Sequence, residues 1–431
     1  MVVGIHDHRK WDRAIGMNGT EERKDCIWEN ALTDSGGIPG WWILGGILST
    51  ARVGVLALAI LTTLLLGTGC AVNTHYDPSL PHHTPEGFRN APSTPPHEGF
   101  WRWKWESTWE GLPKPPANGY NFPVLPVDLP FLAGNREAIT LTWIGHATLL
   151  LQLGGVNVLV DPIFSRRASP FSFLGPERKV PPAMTLADLP HIDMVLISHN
   201  HYDHLDLPSV RALAAQQGGA PRYFLPLGLK TWFEKEVFDG KPTPDVVEQD
   251  WWDHSDYLGL RIHQVPAQHF SARTPWDTNE ALWGGFVVEH PSFRFYWAGD
   301  SGYGPHFKEI GRRFAPIDLA ALPIGSYEPR WFMKDMHINP AEAVLAHKDL
   351  GATHTVAAHW GTFEMTDESM DEPPRALARA LSEHQISPET FFVMQHGETR
   401  VLHPATGQPI VRRNGHDPAE EGQVSPASGT N

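Results

Sequence analysis

The sequence predicts an α/β or α+β protein built on mixed sheets, and three observations carry that expectation. Short apolar runs that read as strands dominate the middle of the chain. Stretches with helical spacing alternate with them. The chain has 431 residues, 41% of them hydrophobic, which is enough to bury a large core.

In chain order, residues 71–99 are rich in Pro, His, Ser and Thr and read as a linker or strap lying on the domain. His82 and His83 read there as solvated linker residues. "WRWKWESTW" (101–109) alternates Trp with polar residues and predicts a strand with one aromatic face. From Ile139, "ITLTWIGHATLLLQLGGVNVLVDP" predicts two strands joined at "LGG". Further strands are expected at 193–198, 222–226, 260–266, 286–290, 293–300, 318–324 and 354–360. "LPSVRALAAQQ" places Leu207, Val210, Leu213 and Ala214 on one helical face. "NPAEAVLAHKDLG" predicts a helix with Asn339 as N-cap, Pro340 in the first turn and Glu342 at the capping-box position, ending near Gly351. "PRALARALSEH" predicts a last amphipathic helix. The domain expectation is an extension and anchor over 1–70, a Pro- and Trp-rich strap over 71–138, the main domain over 139–402 and a polar, disordered tail over 403–431.

Charge and cysteine usage narrow the function. With 34 basic against 49 acidic residues the formal charge is -15, which speaks against nucleic acid as a general partner. The two cysteines, Cys26 and Cys70, form no zinc-type pair, so any metal site must use His and carboxylates. "VGVLALAILTTLLLGTGC" follows Arg52 and runs uncharged to Cys70, ending in small residues. That pattern is similar to a bacterial lipoprotein signal and predicts a lipid on Cys70, hence a membrane-anchored protein of the cell envelope.

Ligand-capable residues recur just past apolar strands. "LIS" leads into His199, His201, Asp203 and His204; "HQVPAQ" into His269; "FYWAG" into Asp300; "TVAA" into His359. Rigid strand ends suit fixed coordination geometry. Residues two apart in an extended segment point the same way, so His199 and His201 can share one metal. Asp203 and His204, past a turn, can face a second, and Asp300 has two oxygens with which to bridge. Mixed nitrogen and oxygen donors suit Zn²⁺. His146, His191, His254, His263 and His290 read as ordinary core or rim histidines.

"SHNHYDH" resembles the signature of the metallo-β-lactamase superfamily. The blocks "WIGHATLLLQ", "DPIFSRRASPFSFLGP", "VPAQHFSARTPWDTNEALWGGF", "AGDSGYGPHFKEIG", "LPIGSYEPRWFM" and "HWGTF", spread over residues 139–396, narrow the resemblance to N-acyl-phosphatidylethanolamine-hydrolysing phospholipases D and their bacterial relatives. "GFRNAP" (87–92) is similar to an upstream segment of that family. The resemblance implies a four-layer αββα sandwich with two Zn²⁺ per chain. It implies His199, His201 and His269 on one zinc, Asp203, His204 and His359 on the other, and Asp300 between them. It also implies His337 near the reacting phosphate, and Tyr303, Glu328, Arg330 and Trp331 as pocket residues. The implied reaction is attack of a metal-bridging hydroxide on phosphorus, giving phosphatidic acid and an N-acylethanolamine from a phospholipid substrate, with Asp203, Asp300 and His337 as the catalytic set. A hydrolase of lactones or small phosphodiesters, and a non-catalytic zinc- or lipid-binding lipoprotein, stay open at this point.

Overall fold

The computed structural model describes residues 73–403, apart from 93, 95–98, 112–115, 118, 242 and 244, together with 411–412. The expected signal segment and most of the expected tail lie outside the described residues. Among the described residues no helix is long and apolar enough to cross a membrane.

Two large sheets form, each antiparallel at one end and parallel at the other. The first runs, in spatial order, Val411–Arg412, Thr399–Leu402, Ile139–Gly145, Thr148–Leu153, Val156–Val160, Met194–Leu196, Arg222–Pro226 and Val246–Gln249. The second runs Phe391–Val393, Ala352–Ala358, Ile317–Pro323, Phe293–Trp297, Gly285–His290, Leu260–Val265 and His254–Tyr257. Parallel neighbours need crossovers, and helices supply them. Leu207–Ala214 and Lys230–Val237 serve the first sheet; His306–Phe314, Pro340–Leu350 and Glu372–Glu383 serve the second.

Strict alternation along the strands sets the layers. Leu149, Leu151 and Leu153 join the core that also holds Val287, Phe295 and Ala321 of the second sheet. Leu150, Leu159, Val195 and Ile197 face the other way and pack with Val210, Leu213 and Phe233 of the outer helices. Phe307, Val344 and Leu377 cover the second sheet. The stacking is therefore helix, sheet, sheet, helix, the expected four-layer sandwich. Burying each such Leu or Phe contributes roughly 1.5–3 kcal/mol, and a one-residue register slip would turn those residues to the wrong face.

The helix after Asn339 has the expected capping box: Asn339 Oδ1 accepts from Glu342 N (2.8 Å) and Glu342 Oε2 accepts from Asn339 N (3.0 Å). Three expectations are corrected. The run from Ile139 makes three strands, because Gly145 (φ 140°) and His146 (φ 54°) turn the chain between Gly145 and Thr148. The Trp-rich segment is a helix, Phe100–Glu110. Its Lys, Arg and Glu favour helix, Arg102 pairs with Glu106 one turn on (2.7 Å), and Trp103 packs against Phe332, Met333 and Met336 while Trp105 and Trp109 stay exposed. Finally, His82 and His83 are buried, not solvated, and both contact Asp250.

Candidate metal centre

The ends of neighbouring strands deliver the chemistry to one edge of the sandwich. Met194–Leu196 is followed by the loop carrying His199, His201, Asp203 and His204; Leu260–Val265 leads to His269, Phe293–Trp297 to Asp300 and Ala352–Ala358 to His359. Because the last residues of these strands, Leu196, Val265, Trp297 and Ala358, are fully buried, the residues past their ends are held by the core.

Three imidazole nitrogens meet first. His201 Nδ1 lies 2.8 Å from His199 Nε2 and 3.2 Å from His269 Nε2. The outer nitrogens are already engaged: His269 Nδ1 with the carbonyl of Met336 (3.0 Å) and His199 Nδ1 with Ser198 Oγ (3.0 Å). That leaves lone pairs turned inward, the arrangement of metal-binding histidines. Burial pushes His199 and His269 well below the ordinary histidine range, and His201 to about 4, so all three are neutral donors at neutral pH.

A second set surrounds Asp203. Its Oδ2 lies 3.0 Å from His146 Nε2, 3.2 Å from His359 Nε2 and 3.4 Å from His204 Nε2. Asp300 Oδ2 stands between the sets, 3.1 Å from His204, 3.4 Å from His359, 3.9 Å from His199 and 4.0 Å from His269. Burial alone would raise both carboxyls, but the facing imidazoles outweigh it and hold both well below the usual carboxylate range. For His204 burial is likewise outweighed, by Asp300, Asp203 and Asp161, so its pKa rises well above normal. Asp300 Oδ1 and His359 Nδ1 are buried without a partner. Converging lone pairs, buried carboxylates and orphaned polar atoms fit divalent metal in both positions.

His337 also reaches this edge. Its Nδ1 is buried without a hydrogen-bond partner and lies 3.9 Å from Asp300 Oδ2. Burial lowers its pKa to about 4, so it is a neutral imidazole at neutral pH.

The four expected pocket residues have other partners. Arg330 Nη2 donates to both carboxylate oxygens of Glu342 (3.0 and 2.8 Å) and its Nη1 donates to the carbonyls of His337 and Tyr327, which makes it a brace for the His337 segment. Glu328 accepts from the Arg330 amide, Tyr303 donates to Asp349 (2.7 Å), and Trp331 lies beneath Arg102.

Two residues at the centre were not singled out from sequence. His146, read as an ordinary core histidine, contacts Asp203 directly, and its ring lies 4.1 Å from that of His359, tilted by 42°. Asp161 holds His204 Nδ1 (2.8 Å) and also accepts from Ser198 Oγ and from Trp297 Nε1. Both follow apolar strands, the same signal that marked the others, but each stands alone there. Asp161 sits at φ 39°, where Asn is tolerated, so Asp161→Asn tests its charge without disturbing the backbone. The expected outcome is a metal dissociation constant raised about 10–100-fold at unchanged fold, read by competition with a chromogenic chelator.

Comparison with known proteins gives the same picture. Residues 156–360 match the beta-lactamase superfamily domain. The chain is 42% identical over 265 residues to N-acyl-phosphatidylethanolamine-hydrolyzing phospholipase D 1 of Caenorhabditis elegans, covering 60% of this chain and 74% of that one. It is 34% identical over 251 residues to the mitochondrial N-acyl-phosphatidylethanolamine-hydrolyzing phospholipase D of Saccharomyces cerevisiae, covering 57% of this chain and 52% of the yeast protein. A metal-dependent hydrolase of Methanopyrus kandleri is 29% identical over 265 residues, 60% of this chain and 98% of the archaeal one.

Proposed function

Because the chain belongs to the metallo-β-lactamase superfamily of metal-dependent hydrolases, we propose that it is a zinc-dependent phosphodiesterase that converts N-acyl-phosphatidylethanolamine to N-acylethanolamine and phosphatidic acid. The observation that carries this reading is the pair of donor sets sharing Asp300 Oδ2, with the unpartnered His337 Nδ1 beside it. The 42% identity to the nematode phospholipase D supports the choice of substrate.

In this reading His199, His201 and His269 hold one ion, Asp203, His204 and His359 the other, and Asp300 faces both. His146 braces Asp203 and Asp161 fixes the ring of His204. When bound, the two ions supply Lewis acidity toward a phosphoryl oxygen and make water a nucleophile near neutral pH. Displacement at phosphorus expels an alkoxide, a poor leaving group. His337 Nδ1–H is placed to donate a hydrogen bond to that oxygen as charge develops. Arg330, through its bond to the His337 carbonyl, keeps this donor in position.

The reading extends to location. The uncharged run before Cys70 supports lipidation there and an envelope membrane as the working surface. Mass spectrometry of the mature protein should find an acylated Cys70 at its amino terminus; a processed form lacking Cys70 would remove this part of the proposal. The function itself is tested with the full chain in mixed micelles. N-acylethanolamine release should stop on chelation and return with zinc. Turnover of lactones or of a small phosphodiester, with none of the lipid, would overturn the substrate assignment.

A further inference from the structure

A second histidine–carboxylate cluster lies apart from the catalytic edge, in the amino-terminal strap. His82 Nε2 is 2.7 Å from Asp250 Oδ1, and His83 Nε2 is 2.8 Å from Asp250 Oδ2. All three side chains are largely buried, and the partners are 168 and 167 residues apart in sequence. The rings are fixed by packing: His82 stacks on Trp251 at 4.4 Å, and His83 stands edge-on to Phe88 at 5.0 Å.

The remaining nitrogen of His83 is held by two backbone groups. Nδ1 is 2.9 Å from the carbonyl oxygen of His75 and 3.1 Å from the amide of Asp77. The Asp77 amide donates to Nδ1 when that nitrogen is unprotonated and the His75 carbonyl accepts from it when it is protonated, and in the protonated form Nε2 turns a lone pair toward Asp250. One ring nitrogen from each histidine and a carboxylate oxygen of Asp250 lie within 4.8 Å of one another, close enough to share one ion. A histidine that donates its outer N–H to a backbone carbonyl and points its other nitrogen at a shared centre has the outer bonding of a metal ligand.

We propose that His82, His83 and Asp250 form a third, structural metal site, which clips the strap to the domain. Two imidazoles and one carboxylate are borderline donors, suited to Zn²⁺ rather than to Ca²⁺ or Mg²⁺. The clip has a reason to exist. Seven residues past His83, Asn90 grips the backbone of the catalytic-edge ligand His269 from both sides: Oδ1 accepts from His269 N (3.1 Å) and Nδ2 donates to His269 O (3.0 Å). Asn90 Oδ1 also accepts from Trp283 Nε1 (3.1 Å). Holding the strap down therefore buttresses His269.

The test is the zinc content of the full chain, desalted after growth with added zinc, in wild type, in Asp250→Asn and in the double substitution His82→Gln/His83→Gln. Each clip variant is expected to carry about one zinc fewer than wild type. The deficit should add to that of Asp300→Asn, which empties the other centre and so separates the two claims. Equal zinc content in wild type and Asp250→Asn would overturn the site. If the variants do not fold, anomalous diffraction from wild-type crystals at the zinc edge decides. A peak bounded by the two Nε2 atoms and Asp250 supports the clip, and none there overturns it.

Discussion

Asp300→Asn is expected to lower hydrolysis by more than about 10³-fold while leaving the fold intact. The substitution keeps the shape of the side chain and removes one charge. That charge is buried and lies within 4.0 Å of imidazoles from both donor sets, so nothing nearby replaces it. A factor of 10³ corresponds to about 4 kcal/mol of transition-state stabilisation, a plausible share for a group that serves two ions at once. The same variant should bind less metal. Activity and zinc content measured on one preparation, with a thermal melt to confirm folding, check the claim. Wild-type turnover in Asp300→Asn would remove the catalytic reading altogether.

His337→Gln is expected to separate leaving-group assistance from metal binding. His337 is not among the residues assigned to hold metal, so zinc content should stay at the wild-type value. With the natural alkoxide leaving group, kcat should fall about 10²-fold, the lower end for one hydrogen-bond donor to a developing charge. A nitrophenyl phosphodiester leaves as a stable phenoxide and needs no such help, so its turnover should change little. Equal losses on both substrates would show that His337 acts through the structure of the site and not on the departing oxygen. Arg330 offers a related check, since Arg330→Lys leaves one nitrogen where two now serve Glu342 and the His337 carbonyl, and should reproduce a weaker form of the His337 defect.

Some of this architecture was legible in the chain because the signals are local. The apolar runs in "TLLLQL" and "VNVLV", the capping box at Asn339 and Glu342, and the crowded ligands after Met194–Leu196 all need only a few neighbouring residues to be read. Four of those ligands fall within six positions, and chance seldom supplies that. Long-range pairing was hidden. His146 reaches Asp203 across 57 residues, and a lone histidine at a strand end gives no hint of that partner. Asp161 was equally silent, because its role is to hold His204 Nδ1, 43 residues on. His82 and His83 looked like linker residues until Asp250 and Trp251 closed over them.

The Trp-rich segment failed for a different reason. Trp at positions 101, 103 and 105 mimics a strand, yet the face that matters is helical: Trp103 and Ser107, four apart, both reach Asp367. Counting tryptophans weighted the two exposed residues, Trp105 and Trp109, as heavily as the buried Trp103. Periodicity names a face only when the same residues are also the buried ones.

Isotope placement tests the central claim most directly. Zinc-loaded protein turning over N-acyl-phosphatidylethanolamine in ¹⁸O-labelled water should place the label in the phosphate of phosphatidic acid and leave the N-acylethanolamine unlabelled, because water attacks phosphorus. Label in the N-acylethanolamine hydroxyl, or product formation that persists after the metal is removed, would contradict the account.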